Sequence, residues 1–311
     1  MRKTVISFGE ILWDILPDRT LLGGAPFNLA FRVNSLGDRG LIVSRLGSDE
    51  LGRRAFDQVV ALGLDTSYLQ TDEDHPTGTV RVTFDTNNNP DFVIIPEVAY
   101  DYIEVTSNLL EAASAADYFC FGTLSQRSTP TRRSLEELLD AAENSIKLLD
   151  INLRKDCYTA ETVRWSLGHC DILKLNEDEA RELSLMLFGR FHSIDRFSEK
   201  VVEKYSLRYC VVTLAEKGAF ACSRQNEKVY IPGYRIELAD SVGAGDAFTA
   251  GFVHCLLKKL SLSEAVEFGN ILGALVSTQT GATAPVTNPE IERFRSRGSE
   301  RIYDSNFECF I

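Results

Sequence analysis

The chain has 311 residues, 33 basic against 45 acidic side chains, and a formal net charge of -12. That length suffices for a large buried core, in one α/β unit or two smaller domains. The acidic balance excludes a general affinity for nucleic acid or an anionic membrane surface, and no apolar run is long enough to span a bilayer. The opening MRKTVISFGE reaches an acidic residue before a signal-peptide core can form. The seven scattered cysteines, odd in number and without a CxxC pair, read as reduced structural thiols of a cytoplasmic protein. His75, His169, His192 and His254 stand far apart without metal-ligand spacing, so no zinc site is expected.

In chain order, Thr4–Phe8 reads as a first buried strand. At its exit, GEILWD (Gly9–Asp14) offers the Asp14 carboxylate, whose paired oxygens can accept two hydroxyl donors. In GGAPFNLA (Gly23–Ala30), Gly23 and Gly24 let backbone amides approach a ligand. Asn28 there offers both a donor and an acceptor, or else caps a helix after Pro26. Leu41–Leu46 is the next strand and Asp49–Leu62 the next helix. From Gly78, GTVRVTF, DTNNNP and DFVII read as a hairpin with a polar turn. It is either an edge hairpin of the main sheet or a small lid sheet over a polar substrate, the reading favoured here. A lid of few strands exposes edges and an apolar face, so a homodimer through the lid is expected.

Tyr118–Phe121, Ile146–Ile151, Ile172–Leu175 and Tyr209–Leu214 continue the set of buried parallel strands. Helical segments over Arg132–Asn144, Thr159–Leu167, Glu177–Leu185 and Ser193–Tyr205 separate them. This alternation predicts a doubly wound α/β sheet with ligands at the carboxyl ends of its strands. No repeat or low-complexity linker interrupts it. One domain over 1–311 is therefore expected, with a lid drawn from residues 12–24 and 76–104. DINLR (Asp150–Arg154) closes one strand, with Asn152 and Arg154 on alternate positions. Arg154 can neutralise phosphates or bind oxygens, or simply form a surface ion pair. The tail after Pro289, ending in FECFI, has no functional reading.

The sharpest feature is DSVGAGDAFTAGF, Asp240–Phe252. Gly243, Ala244 and Gly245 let N–H groups turn toward one point, and a helix starting near Asp246 adds its unpaired amides and dipole. Such a cradle suits a phosphate or a phosphoryl group in flight, with Asp246 beside it as a proton acceptor. Alternatively Asp246 is a plain helix cap. Phe248 stands where a GxGxxG fingerprint needs glycine, and no Gly-Lys-Ser/Thr makes a P-loop.

GGAPFN early, NxxE in KLNEDE and DSVGAGDAFTAGF late together resemble the ribokinase, or PfkB, family of carbohydrate kinases, in family order across nearly the whole chain. The resemblance implies a ribokinase-like fold, ATP and Mg²⁺. It implies Asp246 as the base that takes a sugar hydroxyl proton, and Gly243, Ala244 and Gly245 as the anion hole. A carboxylate near its ordinary pKa of about 4 is a weak base, but a loose transition state asks little of its nucleophile. Asn176 and Glu179 resemble the motif that organises Mg²⁺ and phosphates through water, which Mg²⁺ yields reluctantly; otherwise Glu179 is a solvated first-turn carboxylate. Thr213, Ala215 (where glycine is usual), Gly218, Asn270 and Gly273 resemble nucleotide-site positions. Asp240, Val242 and Gly281 resemble positions that supply oxygens to a monovalent cation, potassium.

The DxNxR run resembles fructokinases within the family. DINLR, PEVAYDYI (Pro96–Ile103) and GATAP favour a free hexose, fructose first, with Asp14, Gly23, Gly24, Asn28, Asn152 and Asp246 on the sugar side. A sugar phosphate would need extra cations, for which Arg32 and Arg81 are the candidates. Adenosine would need aromatic walls, for which Phe27 and Phe92 are. Ribose and ketodeoxygluconate are further family substrates. A catalytically silent sugar or nucleotide sensor is opposed by Asp246. A hydrolase is opposed by the lack of a Gly-x-Ser-x-Gly elbow.

Overall fold

The computed structural model describes residues 2–16, 19–84, 90–296 and 300–311. The chain begins with β1 (Thr4–Phe8), β2 (Leu12–Ile15), β3 (Thr20–Gly23), α1 (Ala25–Ser35), β4 (Arg39–Gly47), α2 (Glu50–Ala61) and β5 (Leu69–Asp72). A hairpin, β6 (Gly78–Phe84) and β7 (Pro90–Ile94), precedes α3 (Ser107–Ala115), β8 (Tyr118–Phe121), α4 (Thr129–Ala141) and β9 (Ile146–Asp150). Then come α5 (Ala160–Gly168), β10 (Ile172–Asn176), α6 (Glu177–Phe188), α7 (Ile194–Tyr205) and β11 (Tyr209–Thr213). The chain continues through β12 (Ala219–Ser223), β13 (Lys228–Ile231), β14 (Gly233–Tyr234), α8 (Ala244–Leu257), α9 (Leu262–Ser277), α10 (Asn288–Ser296) and β15 (Arg301–Ile302).

Nine strands form one sheet in the order β13-β12-β11-β10-β9-β8-β1-β4-β5. From β11 to β5 the pairs are parallel; at one edge β12 alone runs the other way, antiparallel to both β11 and β13. VISF and YFCF are buried on both faces, as continuous apolar runs require in a parallel sheet. One core layer joins Phe8, Phe119, Leu135, Leu173 and Phe197. The other joins Val5, Leu148, Val211, Phe248 and Phe252. The chain leaves β1 toward β4 and β5 and returns to β8 on the other side, so the order reverses between β1 and β8. Open α/β sheets bind ligands at the carboxyl ends beside such a reversal.

The hairpin is not an edge of this sheet. β3, β2, β6 and β7 make a separate four-stranded sheet, which is the arrangement expected of a lid. Residues 85–89 of the expected polar turn, and 17–18 within the expected 12–24 lid segment, lie outside the described residues. Asp49 caps α2 by accepting from Gly52 N at 2.7 Å and also accepts from Thr77 N at 2.9 Å, pinning the entry to β6. On the return, PEVAYDYI makes a 3₁₀ turn over Ala99–Tyr102. Both Asp101 oxygens there are taken by Arg127, each at 2.9 Å, while Arg127 Nη2 also donates to Ile95 O at 2.7 Å. That segment fastens the second sheet to the first. Most cysteines are buried and all are free, as composition suggested; Cys309 is exposed.

Candidate active site

The head of α8 holds the loop expected to cradle an anion. Its cap, Gly243, has φ 78, and a Cβ there would sit 2.3 Å from Ala282 Cβ, so glycine is required twice over. Among the described residues the N–H groups of Gly245 and Asp246 have no acceptor, as the first turn of a helix dictates. Asp246 lies half-buried in that turn and is not the cap. Its Oδ2 accepts from Asn28 Nδ2 at 2.8 Å. Asn28 is no cap either: α1 is capped by Gly24, with Pro26 in its first turn. Burial raises the Asp246 carboxyl to about 6, helped by the charge of Asp150, while Asn28, Lys174 and Arg154 pull it down. The sequence-based expectation of an ordinary value near 4 is thereby corrected: the acid is a stronger base than its residue type suggests.

The ends of β9 and β10 supply a buried ion pair beneath it. Lys174 Nζ donates to Asp150 Oδ1 at 3.1 Å, and Thr249 Oγ1 donates to Asp150 Oδ2 at 2.8 Å. A Cβ on Gly245 would lie 3.1 Å from Lys174 Nζ, so the ammonium borders the cradle. Sequence reasoning missed Lys174, although a lone lysine inside the apolar run ILKL is a signal. It also passed over Glu10, only 7% exposed, whose carboxyl is pushed by burial, and by the charge of Asp246, up to about 7. The Arg154 charge opposes both shifts and also opposes the burial-driven rise of Asp14. Arg154, although exposed, thus faces Glu10, Asp14 and Asp246 together. Asn152 adopts φ 41, a left-handed backbone that Asn tolerates better than most residues. Gly23 lies beside Asp14, a Cβ there being 3.0 Å from Oδ2, and Gly24 (φ 114) packs its Cα against Glu10 O. A small cavity beside the β1–β8 reversal is lined by Glu10, Asp150, Asn152 and Asp246 among others. Of the residues expected on the sugar side, Asn152 and Asp246 line this cavity, Asn28 bonds Asp246, and Gly23 borders Asp14.

The residues expected on the nucleotide side are more occupied. Asn176 caps α6, accepting from Glu179 N at 2.9 Å, and Glu179 accepts from Asn176 N and Leu153 N, each at 2.8 Å. Glu179 is buried, so the solvated reading fails; burial leads in raising its pKa. Thr213 ends β11 and reaches Leu175 O at 3.4 Å. Ala215 holds φ 51, a backbone better suited to the usual glycine. Gly218 is wedged against Ile231 O and Gly233 N. Asn270 donates to Ile231 O at 3.0 Å, and Gly273 lets α9 approach Ala244 O. Asp240 gathers its expected companions: it accepts from Val242 N at 3.0 Å and Gly281 N at 3.2 Å.

The residues invoked for other substrates fare worse. Arg32 is buried and donates to the carbonyls of Ala282 and Ala284, and Phe27 is fully inside the core. Arg81 is exposed on β6. The side chain of Phe92 lies outside the described residues.

The fructokinase of Escherichia coli is 28% identical over 312 residues, covering 94% of this chain and 99% of that protein. A fructokinase of Xylella fastidiosa with bound ATP shares the fold at TM-score 0.83 and 22% identity, over 94% of this chain and 98% of that one. So does a fructokinase double mutant of Vibrio cholerae O395 with fructose, ADP and potassium, at TM-score 0.80 and 24% identity, over 94% and 98%. The family profile described as pfkB family carbohydrate kinase matches residues 19–289, and the chain belongs to that family.

Proposed function

We propose that this kinase transfers the γ-phosphoryl group of ATP to a hydroxyl of a free hexose, the 6-hydroxyl of fructose first. The observation that carries the reading is Asp246. It is a half-buried carboxylate with a pKa near 6, steered by Asn28 and set beside unpaired helix amides and the Lys174 ammonium. In this reading Asp14, Asn28 and Asn152 orient the sugar. Asp246 takes the hydroxyl proton as the oxygen attacks, and Gly243–Gly245 with Lys174 stabilise the charge of the transferring group. Arg154 offsets negative charge where phosphate and acids crowd together.

Among the described residues no cluster of three or more His, Cys, Asp or Glu can hold a metal. A cation would therefore draw on phosphates, water or carbonyls, which suits Mg²⁺ near Asn176 and Glu179. Asp240, Val242 and Gly281 would receive a potassium ion, the ion bound in the Vibrio cholerae protein. Such cations neutralise phosphate charge and brace the loops around the cradle. On the nucleotide side, Thr213, Ala215, Gly218, Asn270 and Gly273 would shape the pocket through backbone and packing. The four-stranded sheet would close over the sugar to exclude water and, with Val93 exposed, would meet a second copy.

The fructose preference rests on the fructokinase relatives; Arg32 is committed to the Ala282 and Ala284 carbonyls, while Arg81, exposed on β6, keeps fructose 6-phosphate in the test. The test is ADP release with fructose, ribose, adenosine, ketodeoxygluconate and fructose 6-phosphate. The highest kcat/KM is expected with fructose. No release with any of the five would sink the kinase reading, and a preference for another sugar would sink only the fructose assignment.

A further inference from the structure

Arg32 is 1% exposed, one of the largest fully buried side chains of the molecule. A buried guanidinium is costly unless its donors are used. Here a single nitrogen, Nη2, does the bonding, to Ala282 O at 2.9 Å and Ala284 O at 3.0 Å, while among the described residues Nε and Nη1 have no acceptor. Burial alone lowers its pKa to about 10, so the side chain remains a cation at neutral pH. Such a group is a poor choice for mere cohesion, because an apolar residue of similar volume would fill the space at less cost.

Its position supplies the reason. Arg32 lies one turn beyond Asn28 on α1, and residues four apart share a helix face. Asn28 grips the proposed base, Asp246. Arg32 grips the segment 282–284, and Ala282 of that segment is the wall against which Gly243 packs with no room for a Cβ. The same segment is tied to the cradle loop through Gly281 N and Val242 N, both of which donate to Asp240. One helix face therefore carries two fastenings, one to the acid and one to the floor of the anion cradle.

We propose that Arg32 is a positioning residue for phosphoryl transfer, a resident cation that fixes the 282–284 carbonyls and, through Ala282, the set of the Gly243–Asp246 amides. The proposal rests on the kinase reading but makes a separate claim. Amides aimed at a transferring group act on the transition state more than on bound substrates, and a misplacement of about 1 Å can cost on the order of 10²-fold in rate. Loss of Arg32 should therefore lower kcat and leave both KM values nearly alone.

The experiment compares wild type, Arg32→Met and Arg32→Lys. It reads steady-state kinetics with the preferred sugar, thermal melts, and amide hydrogen exchange without substrates. Arg32→Met is expected to lose roughly 10–100-fold in kcat, with each KM within about threefold of wild type. Arg32→Lys, which keeps the charge but not the fork, is expected to recover part of that loss. In both variants exchange should quicken at 243–246 and 281–284 ahead of the rest of the chain. Wild-type kcat in either folded variant, or exchange that quickens uniformly, overturns the proposal. Should Arg32→Met fail to fold, the lysine variant decides alone. Should wild type release no ADP with any sugar, the kinase reading fails, and the local exchange pattern still decides whether Arg32 sets the cradle.

Discussion

On the side expected to take the sugar, Asp14, Glu10 and Asp246 sit in partly or wholly dry surroundings, and burial leads in raising all three pKa values. On the side expected to take the nucleotide, both oxygens of Glu179 and the amide of Asn270 are held by backbone groups, and Gly218 and Gly273 are pressed against neighbouring chain. The contrast teaches where the two halves keep their function. Chemistry needs acids whose charge is not already neutralised, so those side chains stay available. A nucleotide can be gripped by shape and backbone, so there the side chains build the walls.

Asp150 and Lys174 mark the boundary, and breaking their pair should have the largest effect on stability. Lys174→Met leaves Asp150 buried without its cation, a change expected to cost roughly 3–5 kcal/mol. It should also raise the Asp246 pKa, because Lys174 holds it down. The acid limb of the rate profile should then move to higher pH, which a pH–rate series on the folded variant would reveal. A variant as stable as wild type would erase the distinction between a neutralised acid and a poised one.

Glu10→Gln sharpens the same contrast with the opposite sign. The Glu10 carboxyl is raised from 4.5 to about 7, so between those values the folded protein binds more protons than the unfolded chain. Stability then falls as pH rises through that window, by on the order of 3 kcal/mol in full. Glutamine removes the charge, so the variant should melt higher than wild type at pH 8 and lose most of the advantage near pH 4. Equal melting temperatures at pH 8 would mean that Glu10 is better solvated than its burial implies.

On the nucleotide side effects should be smaller and structural. Asn270→Ala strips Ile231 O of its donor and should cost roughly 1–2 kcal/mol with little change in KM for ATP. A large rise in KM at unchanged stability would make Asn270 a ligand contact after all. Smallest of all, Ala215→Gly relieves a positive φ and should stabilise by roughly 0.5 kcal/mol, read from a denaturant midpoint.

Most strands and helices were legible in the sequence because buried parallel strands leave unbroken runs such as VISF and YFCF. The second sheet was legible from the alternation in GTVRVTF. Asp246 stood out as a candidate only through the company its motif keeps, since a Gly-x-Gly-Asp alone reads as readily as a capped turn, whereas GGAPFN, NxxE and DSVGAGDAFTAGF stand in family order. Its raised pKa was not legible, since that depends first on burial and then on the charge of Asp150, both of which arise only in the folded chain. Lys174 and Glu10 were passed over for the same reason: each stands in a stretch dominated by apolar neighbours, and only packing turns it toward the site. Arg32 was noticed as a possible phosphate ligand, yet its partners lie some 250 residues away in sequence.

The central claim is that Asp246 is the base, and it is tested most directly by the turnover of Asp246→Asn with sugar and ATP binding measured alongside. Turnover is expected to fall by roughly 10²–10⁴ with both ligands still bound, while wild-type kcat/KM declines as pH drops below about 6. An asparagine variant that binds both ligands and turns over within a few-fold of wild type would contradict the account.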